Sequence, residues 1–347
     1  MTTHEFYMKR CIELAKNGLG TTYPNPLVGS VIVHDGKIIG EGWHKKAGEP
    51  HAEVNAVNSV KDKSLLKEAT IYVSLEPCSH FGKTPPCCDL IIANKIPNVV
   101  VGTVDPFAKV AGNGIKKLVE SGKNVTVGIL EDECNELNKR FFTFHQKKRP
   151  FIILKWAETA DGFIAPISRE EKSPVWITNP YSRQLVHKWR TEEQAILVGT
   201  NTVLDDNPKL DTRDFSGNNP IRIVLDKSGK ISENYHVKNN SQKTIFITES
   251  ENFISTENCI YENAIFDINL IPSICTILYQ NDIQSVIIEG GSKTLQSFID
   301  ANLWDEARVF IGQTTFQNGT LAPAFSGNSV AGFDIMNDEL KIFKNYD

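Results

Sequence analysis

The 347-residue chain has few of the features that mark membrane, secreted or nucleic-acid-binding proteins. No apolar stretch approaches the roughly 20 residues that a membrane-spanning helix needs. Lys and Arg number 37 against 42 Asp and Glu, and without a basic surplus we do not expect nucleic acid as the main partner. The first ten residues include an acid and no continuous apolar stretch, so we expect no signal peptide and a cytoplasmic location.

The composition also predicts that the chain has no disulfide framework. Seven cysteines are an odd number in a chain of this length, which argues against a disulfide framework. Three of them fall within residues 78–88, and the other four are scattered. The scattered cysteines are expected to be small buried apolar residues. The cluster requires another explanation.

The chain has the composition of a folded protein, with 40% hydrophobic and 23% charged residues, and its length favours two domains. Residues 1–147 alternate helical and extended patterns, with Asp35-Gly36 as a hairpin signal and Thr2 and Glu5 as a capping box. Strands are predicted at 28–34, 37–43, 70–75 and 98–104. Helices are predicted at 4–17 (with Phe6, Cys11, Leu14 and Ala15 apolar), 51–60, 87–94, 115–121 and 131–146.

The best domain boundary is Lys147-Lys148-Arg149-Pro150, where a basic helix end meets a proline. Residues 148–347 again show strand–helix alternation, which predicts a second α/β unit. Strands are predicted at 151–157, 195–199, 221–225, 244–248, 285–289 and 306–311, and helices near 179–190 and 292–301. Residues 228–280 are rich in Asn, Ser and Ile and carry little information.

The cysteine cluster has the ligand types of a zinc site. His51, Cys78 and one of Cys87 and Cys88 supply three ligands that suit Zn²⁺, and a fourth position is left for water. Glu53 follows two residues after His51, so its carboxylate can lie near the metal without binding it. A carboxylate beside metal-activated water can accept and return a proton. A structural zinc site or chance clustering is the alternative.

His51-Ala52-Glu53 with Pro77-Cys78 and a later cysteine resembles the zinc-dependent cytidine-deaminase-like enzymes. The eight residues between Cys78 and Cys87, together with Pro24-Asn25-Pro26 and Asp105-Pro106, resemble the deaminase half of the bifunctional riboflavin-biosynthesis deaminase–reductases. The resemblance implies that His51, Cys78 and Cys87 bind zinc and that Glu53 is the catalytic proton shuttle. It further implies that Asn25, His44, His80 and Lys83 contact the substrate, although alone each is an ordinary turn or solvated residue. Phe107-Ala108 departs from the family pattern, which leaves that loop without a role.

Three segments of the second half resemble the reductase half of the same family, a dihydrofolate-reductase-like fold that binds NADPH. They are residues 155–162, 198–208 and 286–292, the last a β-branched strand whose glycines open a helix. No Gly-x-Gly-x-x-Gly motif occurs in this half. The resemblance implies that the nucleotide is bound by Ala157, Trp176, Thr202, Asp206, Gly291, Ser292, Lys293, Thr294, Leu295, Gln296 and Ser297. It implies that the substrate is bound by Arg190, Leu210, Arg213 and Glu289.

The expected protein is therefore α/β: an N-terminal cytidine-deaminase-like α/β/α domain, residues 1–147, and a C-terminal dihydrofolate-reductase-like α/β domain, residues 148–347. The implied reactions are zinc-dependent deamination of a diaminopyrimidinone that carries a phosphoribosylamino group, then NADPH-dependent reduction of its ribosyl group to ribityl. The implied cofactors are Zn²⁺ and NADPH, and the implied partner is a small molecule, with neither nucleic acid nor membrane. The sequence leaves a homo-oligomer open.

Four alternatives differ in chemistry. A tRNA-editing deaminase would share the zinc site, but residues 1–147 carry a surplus of only two positive charges. The chain could be a zinc deaminase of another small nucleotide or base with a non-catalytic second domain, which an NADPH titration would reveal. The second half could also be a scaffold. A zinc-stabilised protein without activity would bind metal and release no ammonia.

Overall fold

The computed structural model describes residues 1–81, 85–106, 111–167 and 175–346. The chain folds into two compact units, Met1–Lys148 and Arg149–Asp347. This division lies one residue after the boundary that the sequence predicts. Within the described ranges, no helix has the length and apolar character needed to cross a membrane.

The first unit is a five-stranded sheet between helices, in the strand order β2-β1-β3-β4-β5. The helices are α1 (Thr3–Ala15), α2 (Ala52–Ser59), α3 (Cys87–Ala93), α4 (Asn113–Glu120), α5 (Glu131–Leu137) and α6 (Lys139–Lys147). The strands are β1 (Gly29–His34), β2 (Lys37–Trp43), β3 (Thr70–Leu75), β4 (Asn98–Thr103) and β5 (Asn124–Val127). Strand β1 is antiparallel to both its neighbours, and β3, β4 and β5 are parallel.

Two apolar clusters fill the spaces on either side of this sheet. One cluster joins α2, α3 and α4 to one face, and the other joins α1 and α5 to the opposite face. This is the α/β/α arrangement that the resemblance implies. Because β3 and β4 are parallel, the loops after their carboxyl ends emerge at the same edge of the sheet.

Local signals at the start of the chain behave as the sequence predicts, with one exception. Thr2 and Glu5 form the capping box of α1, and Asp35 and Gly36 both have positive φ, 48° and 70°, as in a two-residue hairpin turn. Phe6 is the exception, because it is 53% exposed while the next two residues of α1 are buried. The apolar face of the helix is therefore turned away from Phe6.

The single helix predicted for residues 131–146 is wrong, because α5 and α6 are separated at Asn138. Asn138 has φ −103° and ψ 19°. Its side chain accepts a hydrogen bond from Leu27 N at 2.8 Å and donates one to Leu27 O at 2.9 Å. These buried tertiary bonds, which no local pattern encodes, fix the break.

The second unit contains a nine-stranded sheet in the order β11-β10-β9-β8-β12-β6-β13-β16-β15 and a two-stranded sheet of β7 and β14. The strands are β6 (Phe151–Glu158), β7 (Phe163–Pro166), β8 (Ala195–Gly199), β9 (Ile221–Leu225), β10 (Thr244–Thr248), β11 (Cys259–Asn263), β12 (Ser285–Glu289), β13 (Glu306–Ile311), β14 (Gly319–Leu321), β15 (Ser329–Ile335) and β16 (Asp338–Lys344). The helices are α7 (Pro180–Glu192), α8 (Thr200–Asp206), α9 (Leu270–Gln280) and α10 (Ser292–Asp300).

Seven neighbouring strands of the large sheet, β11 through β13, are parallel, and β16 and β15 continue it in antiparallel pairing. Helices α9 and α10 pack on one face, while α7 and α8 pack on the other. Continuous β-branched runs predicted the inner strands well, since strands buried on both faces lose the alternating pattern.

Helix α9 lies in the segment for which the sequence carried little information. Its residues Ile271, Ile274, Cys275 and Leu278 are buried. Pro272 stands in its first turn, where the missing N–H has no helical partner to lose. A proline among apolar residues hides a helix start from pattern analysis.

Candidate functional sites

Three elements bring His51, Cys78 and Cys87 together at the carboxyl edge of the first sheet. His51 precedes α2, Cys78 follows β3, and Cys87 is the first residue of α3. Their donor atoms all lie within 4.8 Å of one another. His51 Nδ1 is 3.6 Å from Cys78 Sγ and 3.3 Å from Cys87 Sγ. One imidazole and two thiols at this separation fit a zinc ion that keeps a fourth position for a non-protein ligand.

The surroundings of the cluster favour the thiolate of Cys78, while hydrogen bonding to Cys78 and burial raise the pKa of the Cys87 thiol. The Cys87 thiol hydrogen-bonds Cys78, and its backbone N–H donates to Cys78 Sγ at 3.3 Å. The hydrogen bond with the Cys87 thiol, then that with His51 and then the backbone bond, lower the pKa of the Cys78 thiol to about 4 although burial opposes them. Cys88 instead hydrogen-bonds the Pro77 and Gly114 carbonyls and is fully buried, which leaves Cys87 as the metal-facing cysteine.

Glu53 lies in the first turn of α2 and is buried beside the cluster. Its carboxylate hydrogen-bonds Cys87, and burial raises its pKa to about 6. Helix α2 approaches the sheet closely because Gly42 of β2 has no side chain, and an added Cβ would collide with Ala52 O and Ala56 N. The glycine thus sets the depth at which His51 and Glu53 enter the site.

Asn25 and His44 adjoin the cluster. Asn25 Nδ2 is 3.0 Å from His44 Nε2, and the rings of His44 and His51 are 5.5 Å apart. His44 Nδ1 donates to Pro50 O at 3.2 Å, so Nε2 is left to accept from Asn25. Burial lowers the pKa of His44, which favours this neutral form.

The other predicted substrate contacts of this half are less constrained by the structure. His80 is exposed, near the end of the described Cys78 loop. Lys83 and the Phe107-Ala108 segment lie outside the described residues. The substrate contacts of His80 and Lys83 stay predictions.

Glu76 is a buried carboxylate that the sequence analysis did not single out. It accepts hydrogen bonds from four backbone N–H groups, those of Asp105 (3.3 Å), Gly112 (2.9 Å), Gly114 (2.8 Å) and Ile115 (3.2 Å). It stands two residues before Cys78 and thereby ties the ligand loop to the start of α4. The signal for Glu76 in the sequence was an acidic residue placed between a buried strand and Pro77-Cys78.

A cleft of about 870 Å³ opens at the carboxyl ends of β6, β8 and β12 in the second unit. Ligands of open α/β sheets bind at this edge. Thirteen of the predicted nucleotide and substrate residues line the cleft: Ala157, Trp176, Arg190, Thr202, Asp206, Leu210, Arg213, Glu289, Gly291, Ser292, Lys293, Thr294 and Ser297. The three sequence segments therefore converge in space.

Two predicted nucleotide residues are not brought to this cleft. The Leu295 side chain is fully buried in the core between α10 and the sheet. The Gln296 side chain is directed to Ala324, accepting from its N–H at 2.7 Å and donating to its carbonyl at 3.3 Å. Gly291 precedes α10, and the six helical residues that follow it cannot all face one ligand, since successive side chains are turned by about 100°.

The floor of the cleft holds three charged side chains. Arg190 Nη2 donates to Glu289 Oε2 at 2.9 Å. Lys155 is the register partner of Glu289 in the neighbouring parallel strand, so both side chains lie on the same face of the sheet. Burial opposes ionisation of Glu289, but Arg190 and Lys155 hold its pKa down at about 2, while burial lowers the pKa of Lys155. Lys155 was not among the predicted site residues, and its signal in the sequence was a lysine within an otherwise apolar strand.

Two polar atoms of this group are buried with no hydrogen-bond partner among the described residues, Arg190 Nε and Glu289 Oε1. Beside them, Gly291 precedes α10, and an added Cβ would meet only Thr202 Oγ1 at 4.0 Å. Free N–H groups at a helix start bind phosphate, and the missing side chain leaves space for it. The cleft thus fits a phosphorylated nucleotide next to a polar substrate.

Two family models match the chain. Residues 1–103 match the cytidine and deoxycytidylate deaminase zinc-binding region, and residues 150–326 match the RibD C-terminal domain.

Relatives match most of the chain. The riboflavin biosynthesis protein RibD of Aquifex aeolicus is 42% identical over 90% of this chain and 88% of its own length. The Escherichia coli protein of the same name is 36% identical over 88% of this chain and 87% of its own length. The crystal structure of a diaminohydroxyphosphoribosylaminopyrimidine deaminase/5-amino-6-(5-phosphoribosylamino)uracil reductase from Thermotoga maritima is 39% identical. It superposes with a TM-score of 0.88 and covers 99% of this chain and 98% of that chain.

Proposed function

The chain belongs to the RibD family of riboflavin biosynthesis proteins, and we propose that it performs its two reactions in the two sites described above. It is a bifunctional enzyme, a zinc-dependent deaminase and an NADPH-dependent reductase. We assign deamination to the first unit and reduction to the second. The observation that carries the assignment is the placement of a complete His-Cys-Cys cluster with its buried glutamate in the first unit.

The substrate of the first site is 2,5-diamino-6-(5-phosphoribosylamino)pyrimidin-4-one, the class of compound that the Thermotoga relative's name denotes. His51, Cys78 and Cys87 would hold zinc, which when bound supplies a Lewis acid that activates water near neutral pH. Glu53 accepts a proton from the attacking water and delivers it to the 2-amino group. The carbon–nitrogen bond then breaks, ammonia leaves, and the ring carbonyl forms as the proton of the added hydroxyl group moves to the ring nitrogen.

Asn25 and His44 are proposed to orient the pyrimidine. The hydrogen bond from Asn25 Nδ2 to His44 Nε2 leaves the Asn25 carbonyl oxygen to accept from the substrate. His80 and Lys83 are proposed to lie near the phosphate.

The second site reduces 5-amino-6-(5-phosphoribosylamino)uracil. The cleft residues would hold NADPH, which when bound would supply the hydride for C1 of the open-chain imine of the ribose. Lys155 is placed to donate a proton to the imine nitrogen as the hydride adds, since it lies in the cleft beside Glu289 and burial lowers its pKa. Arg190, Leu210, Arg213 and Glu289 bind the substrate, and the other nine predicted residues that line the cleft bind the nucleotide.

A non-catalytic second domain is not favoured by these observations. An inert module has no need for a buried cation–carboxylate group with atoms left for a ligand. The proposal includes a cytoplasmic location, supported by seven free cysteines and by the need for NADPH. A homo-oligomer stays a prediction.

The experiment is a coupled assay on the whole chain with the diaminopyrimidinone. We expect one zinc and one NADPH bound per chain, and ammonia release followed by one NADPH oxidised for each ammonia. Ammonia release without NADPH oxidation would contradict the reductase assignment, and zinc binding without ammonia release would contradict the deaminase assignment.

A further inference from the structure

His187 is a cleft residue for which neither the motifs nor the reaction scheme provides a role. It lies on α7 four residues after Arg183 and three before Arg190, so the three basic side chains share one face of the helix. All three line the cleft of the second unit. His187 is the buried member of the set.

The imidazole of His187 meets the segment that carries two of the proposed substrate residues. Its Nδ1 is 3.0 Å from the carbonyl oxygen of Asp211, and since a carbonyl only accepts, Nδ1 carries a hydrogen. Its Nε2 lies 3.2 Å from Asp214 Oδ2, just beyond this segment. Arg190 Nη1 donates to the same oxygen at 3.0 Å. The Asp211 carbonyl is therefore the point where α7 holds the segment of residues 210–213.

This segment has a conformation that requires external support. Leu210 has φ 56°, in the left-handed region that a branched residue rarely adopts, and its side chain is buried. Arg213 Nη1 pairs with the Asp211 side chain at 2.8 Å. A change at the Asp211 carbonyl would thus move Leu210 and Arg213 together.

A buried histidine is often only a well-satisfied core residue. Here the contact has a second property, because the acceptor is shared with Arg190, whose other end pairs with Glu289. We propose that His187 is a positioning residue of the reductase site, whose Nδ1–H holds the Asp211 carbonyl so that Leu210, Arg213 and Arg190 converge on one substrate. The inference rests on the proposed reductase function of the cleft.

The test compares three substitutions of His187 in the full chain. Asn places an amide N–H close to the position of Nδ1, whereas Gln extends beyond it and Ala removes the donor. We expect H187A and H187Q to raise the KM for 5-amino-6-(5-phosphoribosylamino)uracil about fivefold to tenfold, the effect of one hydrogen bond, with kcat little changed. We expect H187N to stay within about twofold of the wild type, and the Kd of NADPH to be unchanged in all three.

The controls separate this inference from the proposed function. Wild-type enzyme that fails to oxidise NADPH with this substrate would contradict the reductase assignment itself. With active wild type, an unchanged KM in H187A, or an equal rise in folded H187N and H187Q, would overturn the positioning role. If H187A does not fold, the difference between H187N and H187Q decides, with an unchanged Kd of NADPH as the measure of a folded second unit.

Discussion

The Arg190 guanidinium and the Glu289 carboxylate form a 2.9 Å ion pair in which each partner keeps one buried atom unused, Nε and Oε1 respectively, among the described residues. A buried polar atom without a partner costs about 1–3 kcal/mol. We therefore interpret the pair as part of a larger hydrogen-bond network, which binding of the reductase substrate would complete. Lys155, held beside Glu289 by strand register, is the third member.

Glu289→Gln keeps the shape of the side chain and removes the charge that Arg190 and Lys155 share. We expect a KM for the reductase substrate at least tenfold higher, with little change in the Kd of NADPH. Since the pKa of Glu289 is lowered from 4.5 to about 2, its ionisation stabilises the fold fully above pH 4.5 and progressively less from there to about 2. The stability difference between wild type and E289Q in urea should accordingly shrink as the pH is lowered through this window. A pH-independent difference would show that charge is not the cause.

Substitution at the first site should separate metal binding from proton transfer. Glu53→Ala leaves the three donors in place, so zinc should stay bound while ammonia release falls about 10²–10⁴-fold. Cys78→Ser should lose both zinc and activity. Exposed Glu49, in the same stretch of chain, provides the control E49A, which should behave as wild type. Near-normal ammonia release by E53A would refute the role of this carboxylate.

Glu76→Gln tests whether the carboxylate behind the ligand loop supports the metal. The amide cannot accept all four backbone hydrogen bonds, so the Cys78 loop should loosen. Partners behind metal ligands contribute about 10–100-fold to affinity, and we expect zinc transfer to a chromogenic chelator to accelerate within that range. Asp89→Asn, at a more exposed carboxylate paired with Lys117, is the matched control. Equal zinc release from the two variants would contradict a specific role for Glu76.

Gly291→Val tests the nucleotide turn without disturbing the fold. Gly291 has φ −62°, which valine adopts readily, and an added Cβ meets only Thr202 Oγ1 at 4.0 Å. The side chain should instead occupy space needed by the cofactor phosphates, and we expect at least tenfold weaker NADPH binding by fluorescence titration, with deamination intact. Unchanged NADPH affinity in a folded variant would remove this turn from the site.

The sequence was most informative where one residue type serves one chemical purpose. The ligand types of His51, Cys78 and the Cys87–Cys88 pair indicated zinc before any geometry, and the family resemblance selected Cys87. Buried parallel strands such as β9 and β12 followed from runs of apolar, largely β-branched residues. It was least informative where function depends on tertiary hydrogen bonds. His187 lies outside the motifs, and the motifs next to Glu76 and around Lys155 do not reveal their contacts. The partners of all three lie at least 24 residues away in the chain or in a neighbouring strand.

Dependence on tertiary hydrogen bonds also explains the error in the helix predicted for residues 131–146. The break at Asn138 depends on Leu27, 111 residues away. Assigning every residue of 291–297 to the nucleotide ignored helical periodicity, which turns Leu295 into the core. Motifs located the sites, and packing decided which side chains reach them.

Selective removal of the metal from the intact chain tests whether deamination and reduction take place in separate sites. Zinc-free enzyme should not release ammonia from the diaminopyrimidinone, yet should oxidise NADPH with 5-amino-6-(5-phosphoribosylamino)uracil at the wild-type rate, and added zinc should restore the first activity alone. Loss of both activities in a metal-free chain that is still folded would contradict the assignment of the two reactions to separate sites.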